Sequence, residues 1–123
     1  MGLLDQWARR AISRREGQVQ FLGEQTGSLE DTLKRELILE FATRPDIRRA
    51  YLAQVGFESA TEPSPALCIL SKRPDDQSIV TRVGEIFRRR FSKDAPFDIL
   101  FITEDQDADL ARVCRPFFSG AAR

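Results

Sequence analysis

The chain has 123 residues, 41% of them apolar and 31% charged, which is the size and composition of one globular domain. Its 19 lysines and arginines balance 19 aspartates and glutamates. A net positive charge that would attract nucleic acid to the molecule as a whole is therefore excluded. The sequence has no histidine, which removes the commonest general base and metal ligand. We therefore expect no catalytic site, no cofactor and no metal.

Residues 1–16 form the first predicted unit, an amphipathic helix over residues 3–15. Arginines occupy the face opposite its apolar stripe and the end of the helix, where cations suit the helix dipole. We predict that the stripe contacts a protein partner or a second copy of the chain. Packing on the chain's own domain and weak binding at a membrane surface are the alternatives. The candidate partner-binding residues are Leu3, Leu4, Trp7, Ala8, Ala11 and Ile12.

The first half of the remaining chain predicts strand, helix and strand. A short strand around Phe21 is followed by the turn 23–27 and by a helix that we expect to be capped by Ser28 and to end near Thr43. Its predicted buried stripe is Leu29, Leu33, Leu37, Ile38 and Phe41. From Ala50 the apolar period changes to two, which predicts a half-exposed strand.

The second half predicts strand, helix, strand and a closing helix. The continuous apolar run 66–70 indicates a strand that is buried on both faces. A helix follows residues 74–76, and the buried stripe predicted for this helix is Ile79, Val83, Ile86, Phe87 and Phe91. The run 97–102 is another apolar strand. Thr103 and Gln106 have the spacing of a capping box, and the closing helix should continue to Pro116.

This order predicts an α+β domain over residues 17–123. Two strand–helix–strand units with a hairpin-like join indicate a ferredoxin-like β-α-β-β-α-β sandwich. The N-terminal helix and a C-terminal helix are additions to it.

The two cysteines, Cys68 and Cys114, are the only reactive nucleophiles of note. They form no C-x-x-C pair, and their strand and helix positions predict buried, structural thiols. A continuous apolar run of about 20 residues is absent, and arginines interrupt the N-terminal one, so neither a spanning helix nor a signal peptide is expected. We therefore expect reduced thiols and a cytoplasmic location.

Three polar motifs have ordinary structural interpretations. The acidic cluster 104–109 lacks the glycine and glutamate of a calcium loop and suits a helix N-terminus. The run 88–90 of arginines should be the solvated face of a helix and not a nucleic-acid patch. The stretch Gly23 to Gly27 lacks the lysine of a phosphate-binding loop.

From about Phe21 onward the sequence resembles the C-terminal domain of the SseB (enhanced serine sensitivity) family of bacterial cytosolic proteins. The resemblance is carried by "LGEQTGSLEDTLKRELILEFATRPDIRRAYLAQV" and by the "ALCILSK" strand with the arginine-rich helix after it. Family members typically carry a further domain ahead of this one, where this chain has only the predicted helix. The family is associated with serine sensitivity and loosely with sulfur transfer, without established catalytic residues. The resemblance thus implies a non-enzymatic regulatory module.

The leading hypothesis is a non-enzymatic regulatory or protein-interaction module that uses the N-terminal helix and does not bind nucleic acid. The rival is a small-molecule anion sensor, or an enzyme of unknown type, with a cleft lined by Arg48, Arg49 or Lys72. A peripheral membrane protein docking through the first helix is the third alternative.

Overall fold

The computed structural model describes residues 19–57, 64–90 and 98–120. The predicted N-terminal helix, its six candidate partner-binding residues and Phe91 lie outside these ranges. The described elements are β1 (Val19–Glu24), α1 (Ser28–Phe41), β2 (Ile47–Phe57), β3 (Ser64–Ser71), α2 (Gln77–Arg90), β4 (Asp98–Phe101), α3 (Glu104–Ala111) and β5 (Phe118–Ser119). The α+β class predicted from the sequence is confirmed.

Five strands of the described ranges form one mixed sheet in the order β1-β2-β3-β4. The pairs β1–β2 and β2–β3 are antiparallel, whereas β3 and β4 are parallel and are joined by α2. The short strand β5 was not predicted. It pairs with the first half of β2, opposite Arg49 and Ala50, on the edge whose second half pairs with β1.

The ferredoxin-like arrangement is not confirmed. It requires parallel strands joined by a helix and split by another strand, but β1 and β2 are direct antiparallel neighbours. The reason is the length of β1, which ends opposite Ala53, halfway along β2. Gln25 N–H then donates to Leu52 O, so the chain still lies beside β2 where it leaves β1 and approaches α1. Only β3-α2-β4 is a parallel crossover unit.

Both faces of the sheet are covered, which corrects the prediction that β2 is half-exposed. Helices α1 and α2 bury one face, where Leu37, Phe41 and Val83 pack on residues such as Leu52. The segment from α3 to Cys114 covers the other face, and the side chains of Val19 and Phe21 in β1 pack against the same cluster. The buried residues of that second cluster are Tyr51, Ala53, Val55, Ala66, Cys68, Leu70, Leu100, Ile102, Leu110 and Cys114.

The helix ends agree with the sequence in part. The capping box of α3 is confirmed, because Gln106 N–H donates to Thr103 Oγ1 and Thr103 N–H donates to Gln106 Oε1. The helix ends at Ala111 and not near Pro116. Gly27, and not Ser28, is the N-cap of α1, and no side chain caps it.

The predicted helical stripe of α2 is confirmed at its described positions, because Ile79, Val83, Ile86 and Phe87 are buried, whereas that of α1 is confirmed in part. In α1, Leu33, Leu37 and Phe41 are buried, whereas Leu29 is 59% exposed and Ile38 is 37% exposed. The prediction that Leu29 and Ile38 are buried is therefore wrong.

Candidate functional site

A cavity of about 750 Å³ lies where β2 begins, just after β3 ends, and beside β5. Its polar lining is supplied by Thr43, Arg44, Arg48, Lys72 and Ser119. Its apolar lining is supplied by Phe41, Ala42, Pro45, Ile47 and Phe118. Among the described residues, no aspartate or glutamate lines this space. The cavity therefore combines a cationic rim with an apolar floor.

The C-terminal strand closes one side of the cavity. Phe118 meets the ring of Phe41 edge-on, with 5.8 Å between the ring centroids. Phe117 N–H donates to Ala50 O, and Gly120 N–H donates to Arg48 O at 2.8 Å. A Cβ atom at Gly120 would lie 2.5 Å from Ile47 O, so only glycine fits there without a shift of the backbone.

Two of the three cations of the cavity are already paired. Arg44 Nε donates to Glu40 at 3.0 Å, and its Nη1 donates to Ser78 Oγ. Arg48 Nη1 donates to Glu104 at 2.8 Å. Arg44 therefore links α1 to α2, while Arg48 binds the carboxylate of Glu104 on the first turn of α3.

Lys72 is the third cation, and its backbone N–H donates to Asp46 O. Within residues 19–57, 64–90 and 98–120, no acceptor lies within bonding distance of Lys72 Nζ or of Ser119 Oγ. Both side chains are exposed at the cavity. They are its two unused side-chain donors in this part of the chain.

Arg49 does not line the cavity, although the sequence had suggested it beside Arg48 and Lys72. It points to the opposite face of the sheet and holds Asp107 through two guanidinium nitrogens, with Nη2 2.7 Å from Oδ2. The hydroxyl of Tyr51 donates to Asp107 Oδ1, also at 2.7 Å. Asp107 is therefore a buried tie between α3 and β2, and not only a solvated helix-start acid.

The electrostatics of this trio leave it without a transferable proton near neutral pH. Burial raises the pKa of Asp107, but the hydrogen bonds from Arg49 and Tyr51 outweigh burial and hold this pKa below its usual value. Burial, followed by the bond to Asp107, raises the pKa of Tyr51 to about 12. The pair therefore stays ionised and the phenol stays neutral, which suits a structural role.

The predicted burial of both thiols is confirmed. Cys68 is fully buried, and burial raises the pKa of its thiol far above the usual range. Cys114 is 5% exposed, and burial raises the pKa of its thiol to about 11. Neither residue supplies a reactive thiolate near neutral pH.

The remaining motifs form no site in the described residues. No group of three or more metal-binding side chains occurs there, and no helix there is long and apolar enough to cross a membrane. Arg88 and Arg89 are exposed beside the buried Phe87, as expected for the solvated side of a helix. Glu104, Asp105 and Asp109 are also exposed, with Glu104 bound to Arg48.

The fold and the cavity define a small α+β domain that presents a cationic, partly apolar cavity. Residues 22–119 match the family model of the SseB protein C-terminal domain. The chain therefore belongs to this family, which confirms the resemblance seen in the sequence. Comparisons with curated proteins and with solved structures find no match.

The Arg49–Tyr51–Asp107 trio and the strand β5 were missed in the sequence. One signal for the trio was present, because residues 49 and 51 lie on the same face of a strand. An arginine on the same strand face as a buried tyrosine is partly removed from water, so a nearby carboxylate is expected to pair with its charge. No comparable signal marked β5, which has only two residues.

Proposed function

We propose that this domain is a non-enzymatic binding module of a bacterial cytosolic protein, and that it recognises an anionic group in the cavity beside Lys72. One observation carries the proposal. The described lining of the cavity contains three cations and no carboxylate, and Lys72 Nζ is unpaired there. Electrostatic attraction therefore favours an anion over a neutral or cationic ligand.

The non-enzymatic part of the proposal is supported by the chemistry of the reactive groups. Histidine is absent from the sequence, and both thiols are buried with raised pKa values. Tyr51 and Asp107 bind each other on the sheet face opposite α1 and α2, away from the cavity. The cavity side chains can hold a charged group but include no activated nucleophile.

Arg48 provides a second contact to an anion at low cost. Its partner Glu104 has a side chain that is 76% exposed, and exposed ion pairs contribute only about 0–1 kcal/mol. A bound anion can therefore replace Glu104 at Arg48 without loss of a strong interaction. Release of Glu104 would alter the first turn of α3, which offers a route from binding to regulation.

The test is a phosphate titration followed by NMR amide shifts. We expect saturable shifts centred on Lys72, Ser119 and Gly120 in the wild-type protein. Lys72→Gln should weaken binding about fivefold, as expected from loss of about 1 kcal/mol at an exposed cation. Arg112→Gln is the matched control, since it removes one charge from an exposed residue that does not line the cavity. Equal affinities in both variants, or no saturation by phosphate or by acetate, would refute the proposal.

Protein interaction through residues 1–16 is a second candidate function. The observation that favours it is the alignment of Leu3, Leu4, Trp7, Ala8, Ala11 and Ile12 on one helical face in the sequence. Deletion of residues 1–15 and Trp7→Ala test it by light scattering and urea unfolding. A lower assembly mass with unchanged stability supports an interface. A loss of monomer stability would instead place the stripe on the chain's own core, and unchanged mass and stability would exclude both.

A further inference from the structure

The composition of the cavity lining points to a more specific ligand than an inorganic anion. We infer that the cavity binds an organic acid in which a carboxylate is attached to an apolar group, an inference that rests on the proposed anion-binding function. The carboxylate would lie at Lys72 and Ser119, and the apolar group against Phe118, Pro45 and Ala42.

The apolar half of the ligand follows from the lining. Five of the eleven lining residues have apolar side chains. Phe41 and Ile47 are buried at the base, while Ala42 and Pro45 are exposed and Phe118 is half-buried. The volume of about 750 Å³ lies within the range of pockets that bury drug-sized molecules. An inorganic anion would fill little of this space and would leave the apolar lining wet.

The carboxylate follows from the number and charge of the donors. Lys72 Nζ and Ser119 Oγ are the unpaired side-chain donors of the cavity within the described ranges, and a carboxylate offers two oxygens to match them. A phosphate monoester brings three acceptor oxygens, one more than the two side-chain donors that the described lining leaves unpaired. Arg48 already holds the carboxylate of Glu104, so an incoming carboxylate preserves the type of contact that Arg48 makes.

Two sources share this chemistry. A free organic acid has a carboxylate on an aliphatic or aromatic group, and a polypeptide C-terminus has one beside an apolar final side chain. Both present the same head and the same apolar contact to the cavity. Only the polypeptide C-terminus has a peptide chain ahead of its final residue, and the cavity must leave space for that chain.

The experiment is an affinity series by NMR titration of the full chain with acetate, butyrate, hexanoate, hexanamide and phosphate. We expect affinity to rise by up to about fourfold for each methylene that becomes buried. Hexanamide, which lacks the charge, should bind at least about tenfold more weakly than hexanoate. An acetylated tripeptide ending in leucine, as free acid and as amide, separates the two sources. Preference for hexanoate over the peptide acid indicates a free acid, and the reverse indicates a polypeptide C-terminus.

Two variants assign the halves of the ligand to the two sides of the cavity. Lys72→Gln should weaken acetate and hexanoate by the same factor, because both lose the same charge contact. Ala42→Leu adds bulk to the exposed apolar side and should weaken hexanoate more than acetate. Both substitutions change exposed side chains, so folding should be preserved.

The outcomes separate this inference from the proposed function. Equal affinity for acetate and hexanoate, with loss of both in Lys72→Gln, would overturn the apolar half and leave anion binding in place. Tighter binding of phosphate than of hexanoate would overturn the carboxylate assignment. Absence of saturable binding for every anion would refute the inference together with the proposed function.

Discussion

Arg49 and Asp107, which are 58 positions apart, form a two-pronged ion pair in which Nε and Nη2 of the guanidinium reach both carboxylate oxygens. Tyr51 adds a third donor to the same carboxylate. Because α3 has only eight residues, its buried apolar contacts are few and Leu110 is the principal one. The trio therefore contributes much of what fixes α3 on the sheet.

Removal of Asp107 should destabilise the domain. Asp107→Ala leaves Arg49 and the Tyr51 hydroxyl without their acceptor in a site where the aspartate side chain is 10% exposed. We expect a loss of about 2–3 kcal/mol in the free energy of unfolding, less than for a fully buried pair because Arg49 reaches solvent. Urea unfolding measures this value. Asp109→Ala, an exposed aspartate on the same helix, should change it by about 0.5 kcal/mol at most.

The same ion pair should make stability depend on acid pH. The pKa of Asp107 lies below its usual value in the folded state, so its contribution is complete above the unfolded value of about 3.9. The contribution is lost as the pH falls from there through the folded pKa. Asp107→Asn should therefore flatten the slope of unfolding free energy against pH below about pH 4. An unchanged slope in Asp107→Asn would contradict the assignment.

Tyr51 gives an alkaline signal of the same trio, since it is the single tyrosine of the chain. Its pKa is raised to about 12, first by burial and then by Asp107. Ultraviolet absorbance should therefore show almost no phenolate at pH of about 10, where half of a free tyrosine is ionised. The raised pKa stabilises the fold below about pH 10, and this contribution is lost as the pH rises toward 12. Half-ionisation near pH 10, with circular dichroism still that of the folded protein, would contradict the buried phenol.

Local signals predicted the elements better than their arrangement. The capping box of Thr103 and Gln106 and the buried run 66–70 were readable because each depends on neighbouring residues. The strand order was not, because it depends on where β1 ends along β2, opposite Ala53. A sequence period gives the face that a residue occupies and says nothing about which strand lies beside it.

The candidate site shows the same limit. Arg48 and Lys72 were recognised as cations that could line a cleft, and both line the cavity. Arg49 was grouped with them, but strand alternation turns it to the opposite face, where Asp107 binds it. The wall formed by Phe118 and Gly120 depends on a two-residue strand, which is too short to produce a periodic pattern.

Both thiols should be inert in the folded protein. Cys68 is fully buried, and Cys114 Sγ lies 3.6 Å from Leu52 O, with a pKa raised by burial to about 11. We expect labelling by a thiol reagent only at the rate of unfolding, and no cysteine-dependent transfer of sulfur from thiosulfate to cyanide. An Asp109→Cys variant provides an exposed thiol as the positive control. Rapid native labelling of either natural cysteine would show that the thiols are accessible.

The wall of the cavity beside β5 should be sensitive to one methyl group. A Cβ atom at Gly120 would lie 2.5 Å from Ile47 O, which belongs to the rigid backbone of β2 and cannot rotate away. Gly120→Ala should therefore displace the end of β5 and lengthen the hydrogen bond from Gly120 N–H to Arg48 O. We expect about 1–3 kcal/mol of destabilisation, as for other overpacked sites, with weaker binding of anions because Ser119 moves with the strand.

Gly23→Ala is the matched control for this substitution. A Cβ atom at Gly23 meets nothing within 4 Å, so the change should alter the free energy of unfolding by about 0.5 kcal/mol at most. Urea unfolding and hydrogen exchange at the Gly120 position measure the two effects separately. Faster exchange there with little change elsewhere would mean that β5 detaches locally. If Gly120→Ala matched Gly23→Ala in both stability and anion affinity, β5 would not be the wall of the binding site.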